Sequence, residues 1–480
     1  MKTVLAYDLG TSGLKAAMLD EQFSVVRTGY APIQTFGDGK PFSEQRPWEW
    51  AVAFTQTTKE LMQVGGNEIT GICISGHSLG IVPVFRDRST KLPETFVTPI
   101  WSDHRATAQA KRFFDIIDRD SWYDVTGNGF TPEMYAAFKL MWIKENQPEL
   151  YDAADCFIGS KDYLNYLLTG TPVTDRSYAS GSGLYDLRRH GYVKKYIKAA
   201  GLDKSKLPVI SASEAPVGYT AGEFCLDCGL PEGIPVYAGG VDNVCAAVGS
   251  GAVNAGDSCI SLGSSAQFVK VTKKPEPDAT RSVFVWDMAS AGNYATSVGT
   301  MSACTSLRRV VSEYYPEFQG DYRAFDALAA KAGPGSGGVL FYPEAFRGKE
   351  TWKNCSEQTT KAEIARSVLE GIAFSVLKVS GISLEQIDTG KELRICGGGS
   401  RSPVWMQMFA DVFGMAVTVP AEMDNCAAIG AAMLSSKNIC RIDIQDVSTK
   451  ITRAGSRYEP DPETFKRYRD AFGRYLEMEE

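Results

Sequence analysis

Glycine and hydroxyl residues recur along this chain at spacings that suit a phosphate group. In the opening run Asp8-Leu9-Gly10-Thr11-Ser12-Gly13-Leu14-Lys15, glycines at 10 and 13 let backbone N–H groups approach an anion, and Thr11 and Ser12 add hydroxyl donors. Asp8, just ahead of the turn, is placed to hold Mg²⁺ directly or through waters, because that ion prefers a few carboxylates plus phosphate oxygens. The same run also reads as an ordinary hairpin with favourable turn residues. Ser261-Leu262-Gly263-Ser264-Ser265 repeats the pattern in the second half. Two such turns suit a γ-phosphate gripped from both sides, where they would offset the charge spread over its oxygens. Gly397-Gly398-Gly399-Ser400 is a third glycine-rich turn, open either to a base or ribose or simply to close packing.

Asp242, in Gly239-Gly240-Val241-Asp242-Asn243, stands where a buried strand turns into a helix. A carboxylate there is poised to accept a proton from an attacking hydroxyl, and it is equally placed to cap the helix that follows. His77 and His104 are candidates for acid or base work near neutral pH, with hydroxyl binding or packing as the plainer alternatives.

The elements that must position these residues are legible from apolar runs and turn residues. Val4 to Asp8 and Leu14 to Leu19 read as strands about a glycine turn, and Ile69 to Ser75 reads as a buried strand ending at Gly76. Trp48 to Val64 and Val241 to Val248 read as helices, and Thr131 to Gly170 as helices broken at Pro132 and Pro148. Pro235 to Gly240, Asp257 to Leu262 and Leu393 to Cys396 read as further strands, and Pro403 to Phe413 as a helix. The repeated strand, glycine and hydroxyl pattern implies two similar halves, divided near residue 250 into 1–249 and 250–480.

At 480 residues the chain exceeds the size of a single growing core, so two domains and a cleft between them are expected. A net charge of −7 without clustered Lys or Arg argues against nucleic acid as a partner. No apolar stretch has membrane or signal-peptide length, which points to the cytoplasm. Eleven scattered cysteines and three histidines, His77, His104 and His190, read as reduced core thiols rather than a structural metal site.

Together these pieces resemble the FGGY family of carbohydrate kinases, within the superfamily of actin-like, sugar-kinase and chaperone ATPases. The likeness is carried by Asp8 to Ser12, Ile100-Trp101-Ser102-Asp103-His104-Arg105-Ala106, Lys161-Asp162-Tyr163-Leu164, Gly239 to Gly249, Ser261 to Ser265 and Gly397 to Pro420. It implies a two-lobed α/β fold, each half a mixed sheet of the ribonuclease-H-like type, with ATP and sugar in the cleft. It implies Asp242 as general base, Asn243 beside the substrate, and Asp8 positioning Mg²⁺. Thr11, Ser12, Gly13 and Lys15, with Gly10, would meet the β/γ-phosphates from one lobe and Gly263 and Ser264 from the other, while Gly398, Gly399 and Ser400 would lie against the nucleoside.

The sugar is expected on the first lobe, at His77, Ser78 and Leu79, where xylulokinases, nearest in general pattern, usually carry Gln-Met-His. Asp103 and Arg105 match an Asn-Asp-x-Arg pattern with Ser102 in place of Asn, and would either bind sugar hydroxyls or brace the cleft. Tyr135 and Lys139 fall where related kinases turn an aromatic and a Lys toward the sugar, although the spacing of Tyr135 also suits packing. Tyr342 to Thr351 departs from the family's usual run. The expected activity is phosphorylation of a small ketose or polyol. A chaperone-like or filament-forming ATPase and a silent sugar sensor are the rival readings, and pairing into a homodimer is left open.

Overall fold

The computed structural model describes residues 1–37, 41–87, 91–129, 131–278, 280, 282–288, 292–300, 302–343, 350–385 and 391–477. Strands β1 (Lys2–Gly10), β2 (Gly13–Asp20) and β3 (Val25–Pro32) form an antiparallel meander. Helix α1 (Pro47–Met62) follows, with Pro47 at its start and Trp50, Phe54 and Leu61 turned into the core. Strand β4 (Glu68–Gly76) then pairs parallel to β1. Its last six residues are all buried, as a strand covered on both faces requires.

The chain next builds a helical layer that includes α2 (Ser160–Thr169) and the short α3 (Arg176–Ser180). Proline breaks fall as expected at 132 and 148, but Cys156–Ile158 inside this region is a strand, paired with Val82–Val84. Its run of three buried apolar residues carries no period that separates it from a helix. Strands β5 (Pro216–Tyr219) and β6 (Pro235–Val241) complete a six-stranded sheet in the order β5-β6-β4-β1-β2-β3.

Helix α4 (Asp242–Gly249) leaves the end of β6 and leads to the second sheet. There β7 (Ser258–Leu262) and β8 (Ala266–Thr272) form a hairpin, joined by β9 (Phe284–Asp287) and β10 (Tyr294–Thr300). Helices α5 (Cys304–Tyr314), α6 (Tyr322–Ala329) and α7 (Lys361–Ser380) follow, the last opened by a Thr360/Glu363 capping box and closed by Gly381 in the left-handed region. Strand β11 (Glu392–Cys396) runs parallel to β7, α8 (Pro403–Phe413) returns from it, and β12 (Ala416–Val419), α9 (Cys426–Leu434) and β13 (Ser456–Tyr458) finish the lobe. The order of this seven-stranded sheet is β9-β10-β8-β7-β11-β12-β13.

The two sheets repeat one plan. Each has an antiparallel hairpin beside parallel strands, β1 with β4 and β6 in one, β7 with β11 and β12 in the other, and each ends on an antiparallel edge strand. Helices α4 and α9 cross between the sheets with no side chain separating their backbones. A Cβ on Gly249 would lie 1.8 Å from the Cys426 carbonyl oxygen, and one on Gly430 would lie 1.8 Å from that of Cys245. All eleven cysteines are free thiols, and no helix among the described residues is long and apolar enough to cross a membrane. Of the divergent segment 342–351, residues 344–349 lie outside the described residues; Thr351–Lys353 pairs antiparallel with Leu340–Tyr342.

Gly249→Ala forces these two backbones apart, so it is expected to lower unfolding stability by about 2–3 kcal/mol. A denaturation midpoint equal to that of the parent chain would show that the crossing tolerates a methyl group.

Candidate active site

Asp8 and Asp242 occupy the carboxyl ends of parallel strands in one sheet. Asp8 of β1 lies opposite Ser75 of β4, and Ser75 lies opposite Gly240 of β6, two residues before Asp242. Such strand ends are where open α/β sheets bind ligands. The Ser75 hydroxyl donates to Asp8 Oδ1 at 3.2 Å, and the Asn243 backbone N–H donates to Asp242 Oδ1 at 2.8 Å. Asp242 is the first residue of α4, where the helix dipole favours a carboxylate.

Burial outweighs that dipole. It pushes the Asp242 carboxyl up to about 7, and the nearby Asp8 charge adds to the shift. Asp8 is itself raised, first by burial, against the favourable charge of Lys15 and the Ser75 hydrogen bond. Two partly buried carboxyl groups at neighbouring strand ends would offer oxygen ligands to a hard divalent cation. Among the described residues no cluster of three or more His, Cys, Asp or Glu side chains could cage a metal by itself. That donor set fits Mg²⁺, which keeps waters and phosphate oxygens in its shell.

The tip of the first hairpin is tied down on its backbone side. Gln45 Nε2 donates to the Thr11 carbonyl at 2.6 Å, Tyr30 Oη donates to the Ser12 carbonyl at 3.0 Å, and Trp101 Nε1 donates to Thr11 Oγ1 at 3.0 Å. Gly10 and Gly13 pair across the turn, and a Cβ on Gly13 would lie 2.6 Å from the Tyr30 ring. Lys15, expected on phosphate, instead donates from Nζ to the Asp424 carbonyl of the second lobe at 2.8 Å. The neighbouring Met423 carbonyl accepts from Gly397 N–H at 3.0 Å, so the hairpin lobe and the glycine-rich turn meet the same loop.

In the second lobe Gly263 and Ser264 follow β7, and Gly398 and Gly399 follow its parallel neighbour β11. All four line one cavity of about 580 Å³, closed by α5, α6 and the start of α8. Gly397 has φ +90°, and a Cβ there would lie 2.8 Å from the Leu262 carbonyl, so the turn lies flat on the end of β7. Ser400 is buried and donates to the Gly397 carbonyl at 2.7 Å, so its hydroxyl holds the turn rather than lining the cavity. Sequence reasoning missed several lining residues, among them Arg308, Asp326, Arg401 and Trp405. Arg308 donates to Ser264 Oγ at 3.0 Å and Thr305 Oγ1 at 3.1 Å, which places a guanidinium beside the second hairpin. The only signal for it in the sequence is the pair Arg308-Arg309 on an otherwise amphipathic helix.

The residues expected on the sugar side divide into two groups. Asp103 and Arg105 form a brace: Arg105 Nε donates to Asp103 Oδ1 at 2.8 Å, its Nη2 to Asp103 Oδ2 at 2.7 Å and also to Glu44, and Ser43 N–H donates to Asp103 Oδ2 at 2.8 Å. Arg105 also lies over the rings of Phe42 and Trp142. Lys139 is buried and donates to the carbonyls of Leu79 and Ile100, and burial lowers its ammonium to about 7. His104 pairs with Glu133 at 3.4 Å.

By contrast, His77 and Tyr135 are buried with unanswered polar atoms. Among the described residues neither ring nitrogen of His77 has a hydrogen-bond partner, nor does the Tyr135 hydroxyl. Burial lowers His77 to about 4, so the imidazole is neutral. Tyr135 packs edge-on against Trp122 and beside Phe284 of the second lobe. Ser78 and Leu79 are both buried. Leu79 holds φ +62°, a strained backbone for a residue other than glycine, and its side chain and the Trp286 ring of β9 both lie close against Gly181.

Residues 3–249 match the model of the N-terminal domain of the FGGY family of carbohydrate kinases, and residues 252–438 match that of its C-terminal domain. The chain is 25% identical over 490 residues to the xylulose kinase of Bacillus subtilis (strain 168), covering 99% of this chain and 96% of that protein. It is 24% identical over 495 residues to the gluconokinase of Bacillus licheniformis, covering 99% and 95%. The ligand-bound xylulose kinase of Lactobacillus acidophilus has the same fold, with a TM-score of 0.87 at 21% identity over 100% of this chain and 98% of that one.

Because the Asp8 charge helps to raise Asp242, replacing it by a neutral isostere is expected to lower the Asp242 carboxyl from about 7. Carboxyl carbon NMR titration of the ligand-free Asp8→Asn variant measures this directly. An unchanged titration would place the two groups out of electrostatic reach.

Proposed function

Since the chain belongs to the FGGY family of carbohydrate kinases, we propose that Asp242 is the general base that activates a sugar hydroxyl toward the γ-phosphate of ATP. The protein is a sugar kinase that phosphorylates its substrate with ATP. The observation that carries the assignment is the place of Asp242, at the mouth of parallel strands one strand away from a second partly buried carboxylate, Asp8, where desolvation pushes the Asp242 carboxyl up to about 7. A base of that strength takes a hydroxyl proton in the transition state without being permanently protonated near neutral pH.

In this reading the acceptor O–H gives its proton to an Asp242 oxygen as the acceptor oxygen bonds to the γ-phosphorus and the bond to ADP breaks. Asp8 would hold Mg²⁺, which when bound neutralises charge on the β- and γ-phosphates. Backbone N–H groups of the turns at Gly10 to Gly13 and Gly263 to Ser264 would donate to the phosphate oxygens, with Arg308 beside the second turn. Gly398 and Gly399 would floor the nucleoside cavity. The division at 249/250 then separates the lobe of base and sugar from the lobe of the nucleotide.

For the acceptor we propose a small neutral ketose such as a pentulose, or a polyol. The xylulose kinase relatives support it. So does the chemistry of the first lobe, where Arg105 and Lys139 are both engaged by protein oxygens. Neutral His77 pairs a donor nitrogen with an acceptor nitrogen, which complements hydroxyls. Asn243, Ser78, Leu79 and Tyr135 complete the proposed wall. Free thiols throughout suit a reducing compartment, which supports a cytoplasmic enzyme.

Asp242→Asn is expected to lower kcat by about 10²–10⁴-fold while ATP still binds. Calorimetric ATP titration together with a coupled ADP assay reads both effects, and near-normal turnover would remove Asp242 from the role. With the carboxylate as the active form, kcat/KM for the sugar should be full above pH 7 and fall as pH drops through about 7. A flat profile down to pH 5 would contradict the assignment. ADP release should require a ketose or polyol, and gluconate should support it poorly; equal release with gluconate would overturn the neutral-acceptor reading.

A further inference from the structure

Strand β6, which delivers Asp242, is not regular. Its register against β4 shifts between Tyr237 and Gly240, and Gly239 at the shift has φ +73°. A Cβ on Gly239 would lie 2.0 Å from the Ile74 carbonyl oxygen, so only glycine fits. A bulge of this kind bends a strand and re-aims the residues beyond it. It also takes backbone groups out of the ladder, and these are buried and need other partners.

Those partners converge on one buried ionic cluster. The Ala238 carbonyl accepts from Lys161 Nζ at 3.0 Å and from Asn165 Nδ2 at 3.1 Å, and Gly239 N–H donates to the Ser213 carbonyl at 3.1 Å. Lys161 is paired with Asp162 Oδ1 at 2.5 Å and with Asp175 Oδ1 at 2.9 Å, all three side chains being fully buried. Burial opposes the Lys161 charge, but the two carboxylates hold the ammonium above its usual range. The Asp175 Oδ2 atom accepts from Ser177 N–H at 2.7 Å, from the Ser177 hydroxyl, and from Ser213 Oγ at 2.6 Å. With its own proton directed at Asp175, the Ser177 hydroxyl accepts from Val241 N–H at 3.0 Å. Val241 is the residue that precedes Asp242 and caps α4 without a side-chain bond.

We infer that Ser177 is a positioning residue for the proposed base, and that the Lys161–Asp175 pair fixes it in place. This rests on the reading of Asp242 given above. The Asp175 carboxylate dictates which way the Ser177 proton points, which leaves a lone pair for Val241 N–H and sets the plane of the peptide entering Asp242. Lys161 and Asn165 of α2 hold the strand further back, at Ala238; at Val241, beside the β4 pairing, the side-chain bond is the one from Ser177, so the angle of the proposed base depends on α3. An error of about 1 Å in such a group costs roughly a hundredfold in rate. The nucleotide cavity lies on the other lobe and shares no residue with this cluster.

The test compares two serines that both donate to Asp175 Oδ2, only one of which touches Val241. Ser177→Ala should lower kcat by about 10–100-fold with KM for ATP within twofold. Ser177→Thr, which restores the hydroxyl, should recover most of the loss. Ser213→Ala removes a donor from the same carboxylate and should leave kcat within threefold, which separates positioning from a general loosening of the cluster. Amide hydrogen exchange at Val241 should quicken in Ser177→Ala and stay slow in Ser213→Ala. Full turnover in Ser177→Ala, equal losses in the two alanine variants, or no recovery with Thr would each overturn the inference. Asp242→Asn, run alongside, distinguishes the two failures. An active Asp242→Asn removes the base itself, whereas an inactive Asp242→Asn with a normal Ser177→Ala removes only the positioning role.

Discussion

Two partly buried carboxyl groups stand at the ends of parallel strands in one sheet, near enough for the charge of one to raise the other, and the rest of the molecule is arranged around that conflict. Burial disfavours both charges, and each charge disfavours the other. The conflict is relieved by a proton on one group or a cation near both. Either resolution is useful to a phosphotransfer enzyme, because the cation is what a triphosphate brings with it and the proton is what the acceptor must lose. The sheet keeps the groups apart by one strand: Asp8 and Asp242 flank β4, whose Ser75 hydroxyl already answers one oxygen of Asp8.

The duplicated sheet supplies the cavity proposed for the nucleotide. Glycine turns at the ends of β7 and β11 leave a cavity whose floor is backbone, where N–H groups and a flat surface can approach a nucleotide closely. The lobes are joined through the same helix that presents the proposed base, Asp242. Helix α4 starts at Asp242 and ends at Gly249, where it meets α9 backbone to backbone. Asp242 is thus tied to the second lobe without a soft side-chain layer between them.

Much of this was legible in the residues, for physical reasons that differ by position. The hairpin turn at Gly13 and the turn at Gly397 announce themselves because a side chain there would run into Tyr30 or the Leu262 carbonyl. Helix α8 is bounded by Ser402, Pro403 and Gly414, each a strong local signal, and its expected limits coincide with those observed. Other roles depend on partners distant in sequence and so could not be read locally. Lys15 is matched to Asp424, 409 residues away, and Asp103 and Arg105 to Ser43 and Glu44. The short strand Cys156–Ile158 exists because Val82–Val84 is beside it. Arg308 gains meaning only when α5 folds back over Ser264. Pro235 to Gly240 reads as a plain strand; the bulge at Gly239 shows only in the register against β4, and the cluster that holds it is assembled from α2, α3 and Ser213.

A structure with both substrates in place tests the proposed arrangement of base, acceptor and phosphate most directly. Crystals of the full chain with a non-hydrolysable ATP analogue, Mg²⁺ and an acceptor ketose should show one sugar hydroxyl within about 3 Å of an Asp242 oxygen and in line with the γ-phosphorus. A sugar bound with its hydroxyls turned from Asp242, or a γ-phosphate seated outside the space between the Gly10 to Gly13 and Gly263 to Ser264 turns, would contradict it.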